Sequence, residues 1–225
     1  MATETAGAER VLFTAEALQL AEILCARLCH DIAGPLGALI GSLDLAAEAD
    51  GAMAEEVIGM ARETGRNLVS RLRLLRAAWA GNGTALDLAS LGELAQGLPR
   101  QRLLLDVSAL SPKTVFDPEV GRVVLNLVLL AAEALPAGGT IRLDRAEEDL
   151  LVGVGGARSA WPAGLGAALA GRLSFENPRE LQAPFTVALA RASGLGLSIL
   201  MPGGPSPPEG PPPLVLGLFG RGTSP

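Results

Sequence analysis

The chain is poor in the residues from which most active sites and metal sites are made. It has no tyrosine, one histidine and two cysteines in 225 residues. A structural zinc centre takes four Cys or His ligands, so none is expected here. Any Ser-His-Asp or Cys-His chemistry would have to run through the one imidazole. Aromatics are 3%, which leaves Ala, Leu and Val to build the core. Basic residues are outnumbered 18 to 24, and the net charge of −6 argues against nucleic acid as a partner. No uninterrupted apolar run reaches the roughly 20 residues that span a bilayer. The longest, Val123–Leu135, carries Asn126 and Glu133. Met1–Arg10 is polar and acidic, unlike a signal peptide. Cys25 and Cys29 lie about one helical turn apart, which suits two small buried hydrophobes and not a secreted disulfide framework. The expected setting is the cytoplasm, with neither membrane nor nucleic acid as partner.

What is present begins, after a leader over residues 1–12, with a helical signal over 13–81. Leu20, Leu24, Leu28, Ile32, Leu36, Leu39 and Leu43 recur at three- and four-residue steps, predicting a helix from Thr14 to about Asp50. Pro35 should bend this helix without ending it. Asp50-Gly51 reads as a turn. A second helix, from about Ala52 to Ala80, carries Val57, Met60, Leu68, Leu72, Leu75 and Trp79, and Gly81-Asn82-Gly83 stops it. Two long helices joined by a tight turn make an antiparallel hairpin that cannot cover both of its apolar stripes. With no second long hairpin in the chain, a homodimeric four-helix bundle is expected.

Residues 82–225 read as a mixed α/β domain. Arg102–Val107 predicts a strand and Asp117–Leu135 a helix. Gly139–Leu143 and Leu150–Val154 predict a strand pair. Trp161–Leu173 and Pro178–Ala192 predict helices, and Leu195–Leu200 and Leu214–Phe219 the last strands. Pro202–Pro213 is a Pro/Gly-rich connection.

The single histidine stands out. At about 100° per residue, His30 falls opposite Leu28, Ile32, Leu39 and Leu43, so its ring should face solvent. Asp31 follows it, and Arg27 falls on the same outward side. A free imidazole is largely unprotonated at neutral pH and is a nucleophile, and a neighbouring carboxylate can hold one ring proton and orient it. On the second helix Arg62, Arg66, Arg73 and Arg76 fall within about 80° of one another, either a solvated face or a surface that steers an acidic partner.

The segment His30-Asp31-Ile32-Ala33-Gly34-Pro35-Leu36 resembles the phosphoacceptor box of two-component histidine kinases and phosphotransferases. That box is a His followed by an acid, with Pro at +5 and an apolar residue at +6. Ala33 and Gly34 depart from the family's usual +3 and +4 residues, which weakens any expectation of phosphatase activity and leaves transfer untouched. The helix from Arg122 to Pro136 resembles the asparagine box of the kinase ATP-binding domain. Asn126 matches its first asparagine, but Leu130 stands where the second would hold Mg²⁺, and leucine cannot ligate a hard cation. After Leu150–Val154 comes Gly155-Gly156-Ala157-Arg158, without the adenine-contacting aspartate. Gly194-Leu195-Gly196-Leu197-Ser198-Ile199 spells a kinase glycine box, but it follows a helix instead of opening one. Gly194 is therefore expected to be a helix C-cap and the rest a strand.

Together with Ala26–Asp31, Val124–Gly139 and Ala188–Ala192, these features resemble the alphaproteobacterial cell-cycle histidine phosphotransferase (ChpT) family. The resemblance implies a hairpin forming a dimeric four-helix bundle, followed by a degenerate histidine-kinase-ATPase-like α/β sandwich. It implies a homodimer that relays phosphoryl groups between the receiver domain of a hybrid histidine kinase and those of response regulators. It needs no cofactor of its own, since Mg²⁺ sits on the partner receiver domain. The expected site is His30 as acceptor, Asp31 orienting or deprotonating it, Arg27 assisting the charge and Pro35 shaping the helix. An ATP-dependent kinase core and a non-catalytic dimeric scaffold are the alternatives.

Overall fold

The computed structural model describes residues 14–81, 83–98, 102–200 and 210–218. The expected leader and most of the Pro202–Pro213 connection lie outside them. Helix α1 (Ala15–Glu48) begins where the Thr14 hydroxyl accepts the Ala17 amide at 3.1 Å, and it continues unbroken through Pro35. Gly51, at φ +56°, turns the chain back into α2 (Gly51–Leu75). The second helix does not end in regular α geometry as expected. It closes in one π-helical turn, Arg76–Ala80, stopped by Gly81 at φ +71°.

The π turn coincides with an outside claim on its carbonyls. Arg122 donates to the carbonyls of Ala78 (3.2 Å) and Trp79, and the Asn126 amide donates to Ala78 at 2.6 Å. Both side chains belong to α4 (Pro118–Glu133), the spine of the sheet region. All residues of α4 from Val123 to Ala132 are buried, the pattern of a helix that is core on every side.

Around α4 lie β1 (Leu86–Asp87), α3 (Leu88–Ala95), β2 (Leu103–Asp106), β3 (Val115–Phe116), β4 (Gly139–Ala146) and β5 (Asp149–Gly155). Then come α5 (Gly164–Leu169), a 3₁₀ turn at Pro178–Glu180, α6 (Gln182–Ala192), β6 (Gly196–Ile199) and β7 (Leu214–Gly217). The main sheet has the order β2-β4-β5-β7-β6. Its β2–β4 pair is parallel and the others are antiparallel. Alternate residues of β5 (Leu150, Val152, Val154) point into the core, the period-two pattern of a sheet with one covered face.

Three elements were not read from the sequence. The two-residue strands β1 and β3, paired as Leu86 opposite Phe116, are too short to show alternation. Helix α3 is eight residues, announced only by Asp87, whose carboxylate accepts the Ser90 amide at 2.7 Å. The expected helix Trp161–Leu173 contracts to α5. Trp161 is held outside it by its indole N–H, which donates to the Pro212 carbonyl at 2.8 Å. The final glycine run is as expected. Gly194 has φ +68° and donates to the Arg191 carbonyl at 3.0 Å, and Gly196–Ile199 is strand β6.

No residue of α1 is buried within the single chain. Leu18, Leu36, Ile40 and Leu43 are exposed, within about 60° of one another on the helix. Cys25 and Cys29 share that side and are exposed too, contrary to the expectation that they are buried; among the described residues this face is left open. By length and composition α1 is also apolar enough to cross a membrane, the one such helix among the described residues.

Asn126 joins helix pair to sheet region. Its amide also donates to the Arg122 carbonyl at 2.9 Å, and the Gln182 amide on α6 donates to its side-chain oxygen at 3.0 Å. Asn126→Ala removes one donor from the Ala78 carbonyl, which keeps Arg122, and one acceptor from the Gln182 amide, which keeps the Asn126 carbonyl and Thr186, and should cost about 1–3 kcal/mol in urea unfolding. A loss under about 0.5 kcal/mol, the range of neutral surface changes, would show that this amide is not what holds the junction.

Candidate functional site

His30 lies midway along α1, with 65% of its side chain exposed. Its Nδ1 is 3.4 Å from Asp31 Oδ1, a long hydrogen bond in which the ring nitrogen carries the proton when the carboxylate is ionised. Asp31 is covered, with 11% of its side chain exposed, and is gripped from two sides. Arg27, one turn earlier on α1, donates Nε to Oδ1 at 3.1 Å. Arg71 of α2 donates Nη2 to Oδ2 at 2.6 Å.

Arg27 does not stand on the solvent side with His30, as the helical angles suggested. The sheet region packs over α1 at Arg27, whose side chain is 15% exposed, and leaves His30 open. Arg27 reaches across to donate to Glu133 Oε1 at 2.8 Å and to the carbonyls of Pro178 (3.0 Å) and Arg179 (3.3 Å). Its guanidinium thus bonds Asp31, the end of α4 and the 3₁₀ turn, which makes it a strut between the two regions.

Arg71 was missed. The arginines singled out on this helix, Arg62, Arg66, Arg73 and Arg76, are exposed, whereas Arg71 is buried. The signal was its position. On a helical wheel Arg71 falls within about 40° of Val57 and Leu75, both on the buried face. A cation on an apolar face needs an anion opposite it.

These groups line a cleft of about 1360 Å³ between the helical pair and the sheet region. His30, Asp31 and Pro35 of α1 and Asn67 and Arg71 of α2 form one wall. Residues 96–98 after α3 and residues 136–138 after α4 face them. Gly97 permits this closeness, because a Cβ there would sit 2.3 Å from the Ser70 carbonyl oxygen. Pro35, half-buried, lies at the cleft rim just over one turn beyond His30. Among the described residues no cluster of His, Cys, Asp and Glu could hold a metal ion. Leu130 is fully buried in the core, and the Asn126 amide is taken up by Ala78, Arg122 and Gln182.

The two carboxylates of this network titrate in opposite directions. Burial alone would raise Asp31, but the Arg71 hydrogen bond and the charges of Arg27 and Arg71 outweigh it and hold the group below its ordinary 3.8. Burial dominates at Glu133 and lifts it above its ordinary 4.5 despite Arg27. The consequences for stability differ in sign. The contribution of Asp31 is present above 3.8 and is lost as pH falls through its lower folded midpoint. Glu133 favours the folded state when protonated, so its contribution is lost as pH rises from 4.5 through its raised midpoint. On acidification the Arg27–Glu133 charge pair should therefore switch off while Asp31 is still ionised. Carboxyl ¹³C NMR titration should place Glu133 above 4.5 and Asp31 below 3.8, and the reverse order would refute the assignment.

Comparison with known proteins adds a lineage to this geometry. Residues 91–204 match the family model described as the histidine phosphotransferase C-terminal domain. The chain is 27% identical over 195 residues to the protein phosphotransferase ChpT of Brucella abortus (strain 2308), an alignment covering 83% of this chain and 92% of that protein. The 1.7 Å structure of a bacterial phosphotransferase superposes with a TM-score of 0.69 at 24% identity, covering 90% of this chain and 97% of the other, which establishes a shared fold.

Proposed function

Because the chain belongs to the histidine phosphotransferase family, we propose that it carries a phosphoryl group on His30 between receiver-domain aspartates of a two-component phosphorelay. The observation that carries this reading is the exposed imidazole whose Nδ1 faces an ionised carboxylate at the rim of an open cleft. With the proton on Nδ1, the lone pair of Nε2 is free to attack. It forms an N–P bond to the phosphorus of an aspartyl phosphate on the donor receiver. The P–O bond to that aspartate breaks, and its electron pair leaves with the carboxylate. The ring becomes a cation that keeps its Nδ1 proton, and the ionised Asp31 stabilises the new positive charge. Transfer onward runs the same steps in reverse with a second receiver aspartate. Mg²⁺ belongs to the receiver domains, and no cofactor is assigned to this chain.

Pro35 borders the entrance to the cleft. Arg27 holds the cleft walls together. The autokinase alternative is disfavoured by Leu130 and by the engagement of Asn126 within the protein. The assembly proposed is a homodimer in which a second copy covers the apolar side of α1 marked by Leu18, Leu36, Ile40 and Leu43, completing a four-helix bundle. The two Arg27 strands of contact, to Glu133 and to the 3₁₀ turn, keep the middle of α1 against the sheet region. This favours a helical partner over a bilayer for the opposite side. The setting proposed is the cytoplasm, where receiver domains meet it.

Two measurements test this. Incubated with a phosphorylated receiver-bearing donor, the protein should gain acid-labile label that His30→Ala abolishes. Label from ATP alone would mean a kinase, and unimpaired relay in His30→Ala would leave a scaffold. Light scattering should give a mass of twice 23.0 kDa, and Ile40→Glu with Leu43→Glu should shift it toward one chain. A monomeric wild type would remove the bundle.

A further inference from the structure

Arg71 enters none of the steps above, yet it is costly to keep. It is a cation on the buried face of α2, 9% exposed, and its Nη1 is buried with no partner among the described residues. Taking a guanidinium out of water is expensive, and an ion pair in its place is no stronger than the apolar packing that could replace it. A buried donor without a partner adds to that cost. Packing therefore does not explain the residue. What the residue touches does: its one side-chain bond, at 2.6 Å, is to the oxygen of Asp31 that does not face the histidine.

We propose that Arg71 is a positioning residue of the transfer reaction, acting through Asp31 to set which nitrogen of His30 is the nucleophile. The division of labour follows from the two oxygens. Arg71 takes Oδ2, while Oδ1 is shared between Arg27 Nε and His30 Nδ1. With Oδ2 fixed from the neighbouring helix, the carboxylate cannot rotate to give His30 the wrong edge or swing out into solvent. At 3.4 Å the bond to Nδ1 is long, so a small turn of the carboxylate would break it. Once it breaks, the proton redistributes between the ring nitrogens and the Nε2 lone pair is lost in part of the population. Arg27 cannot do this alone, since it lies on the same helix as Asp31 and is also drawn toward Glu133 and the 3₁₀ turn. The position of α2 is thereby made part of the chemistry on α1.

This inference rests on the proposed role of His30 as acceptor, and the experiment separates the two. The chain has one histidine, so a ¹⁵N imidazole spectrum of the unphosphorylated protein reports that ring alone. The wild type should show the Nδ1–H form. Arg71→Gln should lose much of it and slow phosphoryl acceptance by about tenfold or more, as losing a charge-assisted hydrogen bond does. Asp31→Asn should slow it as well, and the Arg71→Gln/Asp31→Asn double variant should be no slower than Asp31→Asn alone. A folded Arg71→Gln with an unchanged tautomer, or losses that add in the double variant, would overturn the proposal. Should Arg71→Gln not fold, Arg71→Lys decides. Because only one guanidinium nitrogen is used, a lysine should keep the Nδ1–H form, and loss of that form would overturn the proposal equally. A wild type that takes no label on His30 would refute the relay reading, while the spectrum would still judge the Arg71–Asp31–His30 chain.

Discussion

The carboxylate of Asp31 is the point to which the helical pair, the sheet region and His30 are all tied. It receives Arg71 from α2 and Arg27 from its own helix, and through Arg27 it is linked to Glu133 at the end of α4 and to the turn at Pro178–Glu180. Removing the carboxylate would leave two buried or half-buried guanidinium groups without their shared anion, a larger loss than the ion pairs themselves represent. The acid next to the histidine is therefore structural cement and, on the proposed reading, part of the reaction centre at once. Its low titration midpoint follows from the first role and serves the second.

The sheet region turns inward the residues that made its sequence resemble a nucleotide-binding domain. Asn126 occupies the position that first suggested an ATP-binding helix, but its amide hydrogen bonds run to Ala78, Arg122 and Gln182. Leu130, one turn on, is core. The late glycine run forms the end of α6 and strand β6, so its amides are committed to a cap and a sheet ladder. Each residue type that would have faced a ligand faces the protein. The sheet region supplies the cleft wall that faces His30.

Much of this was legible in the sequence because the strongest signals were long. The 3.6-residue period gave α1, α2 and α4, and the conformational needs of Gly51, Gly81 and Gly194 gave the turns between α1 and α2, after α2 and after α6. His30 and Asp31 were legible as a pair of residue types that pure packing does not require. Arg71 and the true place of Arg27 were not, because both depend on which helix faces are covered, and that is decided by the docking of the sheet region. The same reason made Cys25 and Cys29 look buried when a single chain leaves them exposed. Helix α3 and the β1–β3 pair were hidden by their shortness, since two or eight residues hold too few repeats for a period to show.

The π turn at Arg76–Ala80 has a consequence for how such proteins can change over time. A π turn holds one residue more than an α turn, so it acts as a one-residue insertion accommodated inside a helix. Because the wider turn absorbs the extra residue, the helix before it and the sheet region after it keep their relative setting, and deleting that residue would close the carbonyls of Ala78 and Trp79 back into the helical ladder, away from Arg122 and Asn126. The change would fall on the junction between the two regions, with the contacts inside each region intact. Drift in chain length at this point would loosen the tie between the helical pair and the sheet region before it altered the fold of either.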